Sequence, residues 1–205
     1  MSGSYCYLYL RAKGRDNRAL LDVLRTQIIP QWQQIDISVW GMFNGLFGVA
    51  SNELIVVAAT GNDLPLSAYT RPLSGIVKIR KLEHLDATVR PLTPVPCEKS
   101  GVYVFRSFYV FNEDVAEIAR LSNEAWTTFE NSGDYSAKPM GLFCQHERTS
   151  RKGKMLLVTW YDSLTSWETS REPPAQARRN FLQRHFMTRR TVAIATRLIA
   201  PQADA

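Results

Sequence analysis

Two stretches of nearly continuous apolar residues open the two halves of the chain. They are YLYLR at positions 7–11 and VYVFR at positions 102–106, and each ends in an arginine. Both are short and rich in aromatic or β-branched residues, a composition that favours strands. After each of them comes an amphipathic segment that begins with polar residues. These segments are DNRALLDVLRTQIIPQW in the first half and NEDVAEIARLSNEAWTTF in the second. The chain therefore repeats one plan with an offset of about 95–105 residues.

Both amphipathic segments carry apolar residues at helical spacing, which predicts a helix with one face against a sheet. In the first segment these residues are Leu20, Leu21, Leu24, Ile28 and Trp32. In the second segment they are Val115, Ile118, Ala119, Ser122, Ala125, Trp126 and Phe129. Asn112 precedes the second helix at a position suited to an N-cap.

Strand-like runs return after each helix, again in matching pairs. The pairs are WGMF (40–43) with MGLF (140–143), ELIVVAAT (53–60) with KMLLVTWY (154–161), and HLDATVRPL (84–92) with TVAIATRLI (191–199). In the second half, residues 163–190 predict a last helix that is broken at Pro173 and Pro174, because proline does not fit inside a helix. In the first half, the prolines and glycines within 61–82 predict only a degenerate helix or a loop.

The second half thus has the order β-α-β-β-α-β, which is that of the ferredoxin-like unit, and the first half repeats it with a degenerate second helix. Its helices cover one face of an antiparallel sheet. The strands do not alternate apolar and polar residues, so the other face must be covered as well. We predict an α+β fold of two tandem ferredoxin-like units, residues 1–93 and residues 102–205, joined by a linker at 94–101. Two such sheets packed face to face form a barrel with helices outside, which one chain closes within itself.

Composition narrows the class of protein further. Hydrophobic residues make up 45% and charged residues 21% of the 205 residues, as in an ordinary globular protein. No apolar run approaches the roughly 18 residues that a membrane-spanning helix needs, so no membrane partner is expected. The three cysteines, Cys6, Cys97 and Cys144, are far apart and form no CxxC pair. This pattern favours free thiols and a cytoplasmic location.

The net charge of +6 is concentrated towards the C-terminal end. Seven arginines lie between positions 165 and 200: Arg171, Arg178, Arg179, Arg184, Arg189, Arg190 and Arg197. They are typical either of an anion or nucleic-acid surface or of the solvated face of a helix. We prefer the solvated face, because lysine is absent there and no nucleic-acid-binding motif accompanies the arginines. A nucleic-acid partner is therefore not expected.

This plan resembles the dimeric α+β barrel superfamily, and the second half looks most like the NIPSNAP family. The resemblance rests on VYVFRSFYV (102–110), MGLF (140–143), VTWYDSLTSWETSR (158–171) and RTVAIATRLIAP (190–201). It implies the ferredoxin-like barrel and a homodimer. It implies no particular reaction, since that family has no agreed chemistry.

Relatives in the same superfamily include antibiotic-biosynthesis monooxygenases and haem-degrading monooxygenases. The latter use an asparagine near the end of the first strand and a tryptophan and a histidine on the last helix. The resemblance puts Asn112 and Trp167 at the first two positions, but Gln176 stands in the place of the histidine and His185 lies further along. No cofactor is therefore expected, and haem is kept as an alternative. The histidines His84, His146 and His185 show no metal-ligand spacing, so no metal is expected.

Aromatic residues of the second half suggest a binding site. We predict a cleft between the second sheet and its broken helix, with Tyr103, Trp160 and Trp167 as walls and Arg106 or Asn112 as a polar contact. Ligand sites are concave and mostly apolar, with a few polar groups that orient the ligand. Large aromatic residues usually belong to the core, and this is the alternative that we favour for Trp160 and Trp167. The cleft remains a hypothesis because the double proline prevents a regular helix from sealing it.

For Arg106 the alternatives are a structural role shared with Arg11, which ends the matching strand of the first half, and an anchor for a carboxylate or phosphate. We prefer the structural role, because the arginine occurs at the end of both strands. The favoured function is the binding of a small apolar or aromatic molecule. The alternatives are a monooxygenase of either type named above and a non-catalytic assembly or partner protein.

Overall fold

Eight antiparallel strands close into one barrel in the order β1-β3-β2-β8-β5-β7-β6-β4. The computed structural model describes residues 3–199, so the last six residues of the second predicted unit lie outside it. The strands are β1 (Ser4–Arg11), β2 (Ser38–Phe47), β3 (Glu53–Thr60), β4 (Lys78–Arg90), β5 (Val102–Phe111), β6 (Ala137–Gln145), β7 (Lys152–Tyr161) and β8 (Arg189–Leu198).

Helices cover the outside of the barrel. They are α1 (Arg18–Val23), α2 (Ile29–Gln33), α3 (Leu66–Thr70), α4 (Val115–Phe129), α5 (Leu164–Thr169) and α6 (Ala175–Met187). A turn of π-helix, Leu24–Ile28, joins α1 to α2, and α3 is as short as the prolines and glycines of that region predict. Pro173 and Pro174 separate α5 from α6, as expected.

Each half contributes a ferredoxin-like sheet with its first strand in the middle. β1 pairs with β3 and β4, and β5 pairs with β7 and β8. The barrel closes where β2 pairs with β8 and β4 pairs with β6. The predicted fold class is therefore confirmed, including closure of the barrel within one chain.

Aromatic side chains fill the barrel, which has a packed interior. Along β5, Tyr103 and Phe105 point into the barrel, whereas Val104, Phe108 and Val110 pack on the helix side. This is the two-residue alternation of a strand. Phe43 from the first half lies between these two rings, with centroids 5.1 Å from Tyr103 and 4.9 Å from Phe105. The two halves therefore share one core.

The connection between the halves is built into the barrel. Cys97, within the linker predicted at 94–101, is buried in the barrel cluster, and its N–H donates to the carbonyl of Trp40 at 2.6 Å. The carbonyl of Lys99 accepts the hydroxyl of Tyr103 at 2.7 Å, and that of Ser100 accepts the indole N–H of Trp160 at 2.9 Å. These contacts hold the end of the connection against β5 and β7.

Asn112 does not cap α4 with its side chain, contrary to the sequence-based expectation. A short 3₁₀ turn, Asn112–Asp114, precedes the helix instead. The Asn112 amide donates to the carbonyl of Ser150 at 2.6 Å, in the connection between β6 and β7. This hydrogen bond across the sheet end replaces the local cap.

Two histidines that are far apart in sequence stack at the β4–β6 seam. The rings of His84 and His146 lie 4.1 Å apart at 24°. His84 Nε2 is 2.7 Å from Ser4 Oγ, and His146 Nδ1 is 2.9 Å from Asp86 Oδ1. Burial, followed by the neighbouring His146, lowers the pKa of His84 below 6.5, whereas the hydrogen bond with Asp86 raises the pKa of His146 above 6.5.

These opposite shifts predict opposite pH dependences for the two histidines. The unfolded chain binds a proton more readily at His84, so this residue's contribution to stability is lost as the pH falls below about 6.5. The contribution of His146 is fully present below about 6.5 and is lost as the pH rises through its raised folded-state pKa.

Urea unfolding of the wild type, His84→Asn and His146→Asn between about pH 5 and pH 8 measures both contributions. The difference in the free energy of unfolding between the wild type and His84→Asn should increase as the pH rises. The difference between the wild type and His146→Asn should decrease as the pH rises. Parallel slopes would contradict this assignment.

Candidate functional site

A cleft lies between the helix-facing side of the second half's sheet and the helices α4 and α6. Its volume is about 330 Å³, within the range of small-molecule sites. The lining residues are Arg106, Trp126, Phe129, Pro139, Leu157, Thr159, Tyr161, Ser170, Arg171, Pro173, Arg178, Phe181, Leu182, Arg184 and His185. The sequence analysis places its predicted ligand cleft between the same sheet and the broken helix, and ligand binding there stays a prediction.

Four of the fifteen residues that line the cleft are aromatic. Trp126 and Phe129 come from the apolar face of α4, and Phe181 comes from α6 with its ring 5.7 Å from that of Phe129. Tyr161 closes the sheet side at the end of β7 and is buried. The break between α5 and α6 places Ser170, Arg171 and Pro173 along the remaining edge, so no continuous helix seals the cleft.

Arg106 reaches the cleft from the middle of the sheet. Arg106 is two positions from both Val104 and Phe108 along β5, so its side chain lies on the same face of the strand, the helix side. Within residues 3–199 its guanidinium has no hydrogen bond or ion pair. No aspartate or glutamate is among the described residues that line the cleft.

Arg184 approaches from the opposite wall on α6. Its Nη1 donates to Ser122 Oγ at 3.1 Å, and its guanidinium carbon lies 4.7 Å from the centroid of the Phe181 ring. Burial lowers the pKa of Arg184 to about 10, and the positive charge of Arg106 adds to the shift. Burial also lowers the pKa of Arg106, with a further contribution from Arg171. Arg106 therefore lies near two other cations, Arg171 and Arg184, and no carboxylate is among the described residues that line the cleft.

Arg11 and Arg106 do not occupy matching places, contrary to the alternative derived from the repeat. Tyr9 packs on the barrel side of β1, and Arg11 has the same parity and bonds to Glu53 Oε1 at 2.7 Å. Arg106 points to the helix side of β5. Aligning YLYLR with VYVFR is off by one residue, and one residue reverses the face of a strand.

Two predicted wall residues lie outside the cleft. Tyr103 and Trp160 are directly paired across β5 and β7, and both side chains point into the barrel. The expectation that they line the sheet–helix cleft is therefore wrong. The physical reason is the alternation of side chains along a strand: residues 103 and 106 are three positions apart, so they face opposite sides of β5.

Asn112 and Trp167 also lie outside the cleft. Asn112 borders a separate, open depression with Arg148 and Val115 at the start of α4. Trp167 is partly buried against the cluster that contains Tyr161, and its indole N–H has no partner among the described residues. Of the five predicted site residues, only Arg106 lines the cleft.

The cleft residues that sequence reasoning missed are Arg184 on α6 and the aromatic residues Trp126, Phe129, Tyr161 and Phe181. The sequence favours a solvated face for the arginine-rich segment, and six of its seven arginines are exposed. Arg184 is the exception, because it lies between α6 and α4. The signal was present in the sequence, since Arg184 follows Phe181 by three residues and therefore shares its side of the helix.

The haem alternative is not supported by the residues in place. The implied set of Asn112, Trp167 and a helix histidine is dispersed, and Gln176 is exposed. His185 lines the mouth of the cleft, but its ring is exposed and makes no hydrogen bond within the described chain. Metal-ligating histidines nearly always have a partner on the second ring nitrogen. These residues therefore do not fit a haem site.

Residues 3–199 contain no group of three or more histidine, cysteine, aspartate or glutamate side chains arranged to hold a metal ion. Across the same residues, no helix has both the length and the apolar character needed to cross a membrane.

Solved structures with a similar fold cover nearly the whole chain. A monooxygenase candidate from Lactobacillus acidophilus is 8% identical, with a TM-score of 0.57 over 97% of this chain and 94% of its own. A ferredoxin-fold protein from Listeria monocytogenes, related to antibiotic-biosynthesis monooxygenases, is 8% identical, with a TM-score of 0.55 over 98% and 97%. A chlorite dismutase variant from Candidatus Nitrospira defluvii is 10% identical, with a TM-score of 0.61 over 97% and 91%.

These likenesses establish the ferredoxin-like α+β barrel fold. No protein-family model matches the chain, and no curated protein matches it by sequence.

Proposed function

We propose that this protein binds a small apolar or aromatic molecule in the cleft between the second half's sheet and the helices α4 and α6. The observation that carries the proposal is a cleft of about 330 Å³ that Trp126, Phe129 and Phe181 help to line and that the break before α6 leaves open. Aromatic walls contribute apolar contact and ring stacking to a flat ligand.

Two further parts of the proposal concern the family and the assembly. Membership of the second half in the NIPSNAP family remains a prediction. A homodimer and a cytoplasmic location remain predictions. A second chain is not needed to complete the barrel, because the eight strands of one chain already close it.

Oxidation of the bound molecule is the second candidate function. It is favoured by the fold shared with proteins described as monooxygenases or related to them over nearly the whole chain. Incubation of any co-purified molecule with protein and isotopically labelled oxygen gas, followed by mass spectrometry, tests this candidate. Label in the product would support oxidation, and an unchanged molecule would leave a binding protein.

A neutral fluorescent probe tests the binding proposal. N-phenyl-1-naphthylamine should bind one site per chain, with enhanced probe fluorescence. Leu157→Trp should abolish this binding, because Leu157 is buried on the helix side of β7 and a larger side chain there fills the cleft. The substitution should lower the free energy of unfolding by about 1–3 kcal/mol, the usual cost of overpacking.

Leu92→Trp is the matched control, because Leu92 is 80% exposed and lies outside the cleft. It makes the same chemical change and should leave probe affinity and stoichiometry unchanged. Equal binding by wild type and a folded Leu157→Trp variant would refute the location of the site.

A further inference from the structure

We infer that the molecule bound in the cleft carries an anionic group, which Arg106 from β5 and Arg184 from α6 hold between them. This inference rests on the proposed function and specifies its ligand as an amphipathic anion. Carboxylates, sulfonates and phosphates share the required chemistry, because the planar guanidinium presents paired N–H donors to two oxygens.

The first argument is that Arg106 has no hydrogen-bond or ion-pair partner among the described residues. Long charged side chains rarely lie inside a sheet–helix layer unless they are paired. Arg106 lies between apolar neighbours of its own strand, and no described residue supplies it with a hydrogen bond or a carboxylate. Its free donors therefore face the cleft.

The second argument is a contrast with charged residues elsewhere in the barrel. Glu53 is only 4% exposed and forms ion pairs with two arginines. Its Oε1 lies 2.7 Å from Arg11 Nη2 and 3.7 Å from Arg80 Nε. The fold thus supplies a carboxylate where two arginines meet at the barrel end. Among residues 3–199 it supplies none to the cleft that Arg106 and Arg184 both line, which points to an anion brought by the bound molecule.

The third argument is the fixed orientation of Arg184. The hydrogen bond to Ser122 Oγ and the face of Phe181 hold its guanidinium in place. Ser122 is itself buried and fixed, since its hydroxyl donates to the carbonyl of Ile118 at 2.7 Å. A preorganised donor loses little entropy on binding, which favours recognition of an oxyanion. Arg171 and Arg178 at the exposed edge extend the positive potential outward and attract an anion.

A pair of probes that differ in charge tests the inference. The anionic probe is 8-anilino-1-naphthalenesulfonate, and the neutral partner is N-phenyl-1-naphthylamine, which lacks the sulfonate. Wild-type protein should bind the anionic probe roughly tenfold or more tightly, since hydrogen bonds to a charged group are the stronger class. Arg106→Met should remove this preference and retain binding of the neutral probe.

Arg179→Met is the matched control, because Arg179 is exposed on the same helix and does not line the cleft. It should leave the preference intact. Arg184→Met provides a second, independent loss of preference, and it serves as the test if Arg106→Met does not fold.

The outcomes separate the two proposals. Equal wild-type affinity for both probes, or a preference that survives both cleft substitutions, overturns the anionic ligand and leaves the binding cleft. If neither probe binds, both the binding cleft and the anionic ligand are overturned.

Discussion

Trp160→Ala should lower the free energy of unfolding by about 3–5 kcal/mol, the usual cost of truncating a buried aromatic side chain. Trp160 is 3% exposed within the barrel and donates its indole N–H to the carbonyl of Ser100. The surrounding strands are hydrogen-bonded in a closed ring, so they cannot collapse onto the cavity that the substitution leaves.

Chemical unfolding measures this loss, and probe titration under conditions that keep the variant folded measures its effect on the cleft. The affinity for N-phenyl-1-naphthylamine should be unchanged, because Trp160 lies on the barrel side of β7. Trp167→Ala should cost less stability, because Trp167 is only partly buried and its indole N–H is unpaired among the described residues. A stable Trp160→Ala variant that loses the probe would contradict the placement of Trp160.

Gly101→Ala should lower the free energy of unfolding by about 2–5 kcal/mol, from backbone strain together with overpacking. Gly101 has a φ of +145°, which residues with a Cβ rarely adopt. A Cβ there would also lie 2.4 Å from both the indole nitrogen of Trp160 and the carbonyl oxygen of Tyr161. The substitution therefore disturbs the point where the connection between the halves joins β5.

Gly75→Ala isolates the steric part of this effect. Gly75 also has a positive φ, of +75°, but a Cβ there meets no atom within 4 Å. Thermal or urea unfolding should show a clearly smaller loss for Gly75→Ala than for Gly101→Ala. Equal losses would mean that the contacts with Trp160 and Tyr161 do not matter.

The fold was accessible from the sequence because its signals are local and repeated. The run ELIVVAAT coincides with β3, and the double proline separates α5 from α6 as predicted. Continuous apolar strands indicated two covered sheet faces, which the closed barrel explains, since one face lies inside the barrel and the other under helices.

The candidate site was harder to predict because it depends on which face each strand residue occupies. When both faces are apolar, the sequence alone does not show which side is the barrel and which side is the cleft. The sequence-based prediction places Tyr103 and Arg106 in one site, although their spacing of three puts them on opposite faces of the strand. Strand alternation was sufficient to reject that pairing, but not to decide which of the two faced the helices.

Long-range contacts account for the rest of what was missed. The stacking of His84 on His146 and the approach of Arg184 to Ser122 join segments about 60 residues apart. Neither pair has a sequence spacing typical of a site. Both arise from barrel closure and helix packing, which bring together residues whose individual patterns are ordinary.

The crystal structure of the protein with 8-anilino-1-naphthalenesulfonate is the measurement that tests the central claim most directly. We predict one probe per chain, with the rings against Trp126, Phe129 and Phe181 and the sulfonate within hydrogen-bond distance of Arg106 and Arg184. The probe bound instead at the barrel mouth beside Tyr7, Phe105 and Lys81, with the cleft empty, would contradict the account.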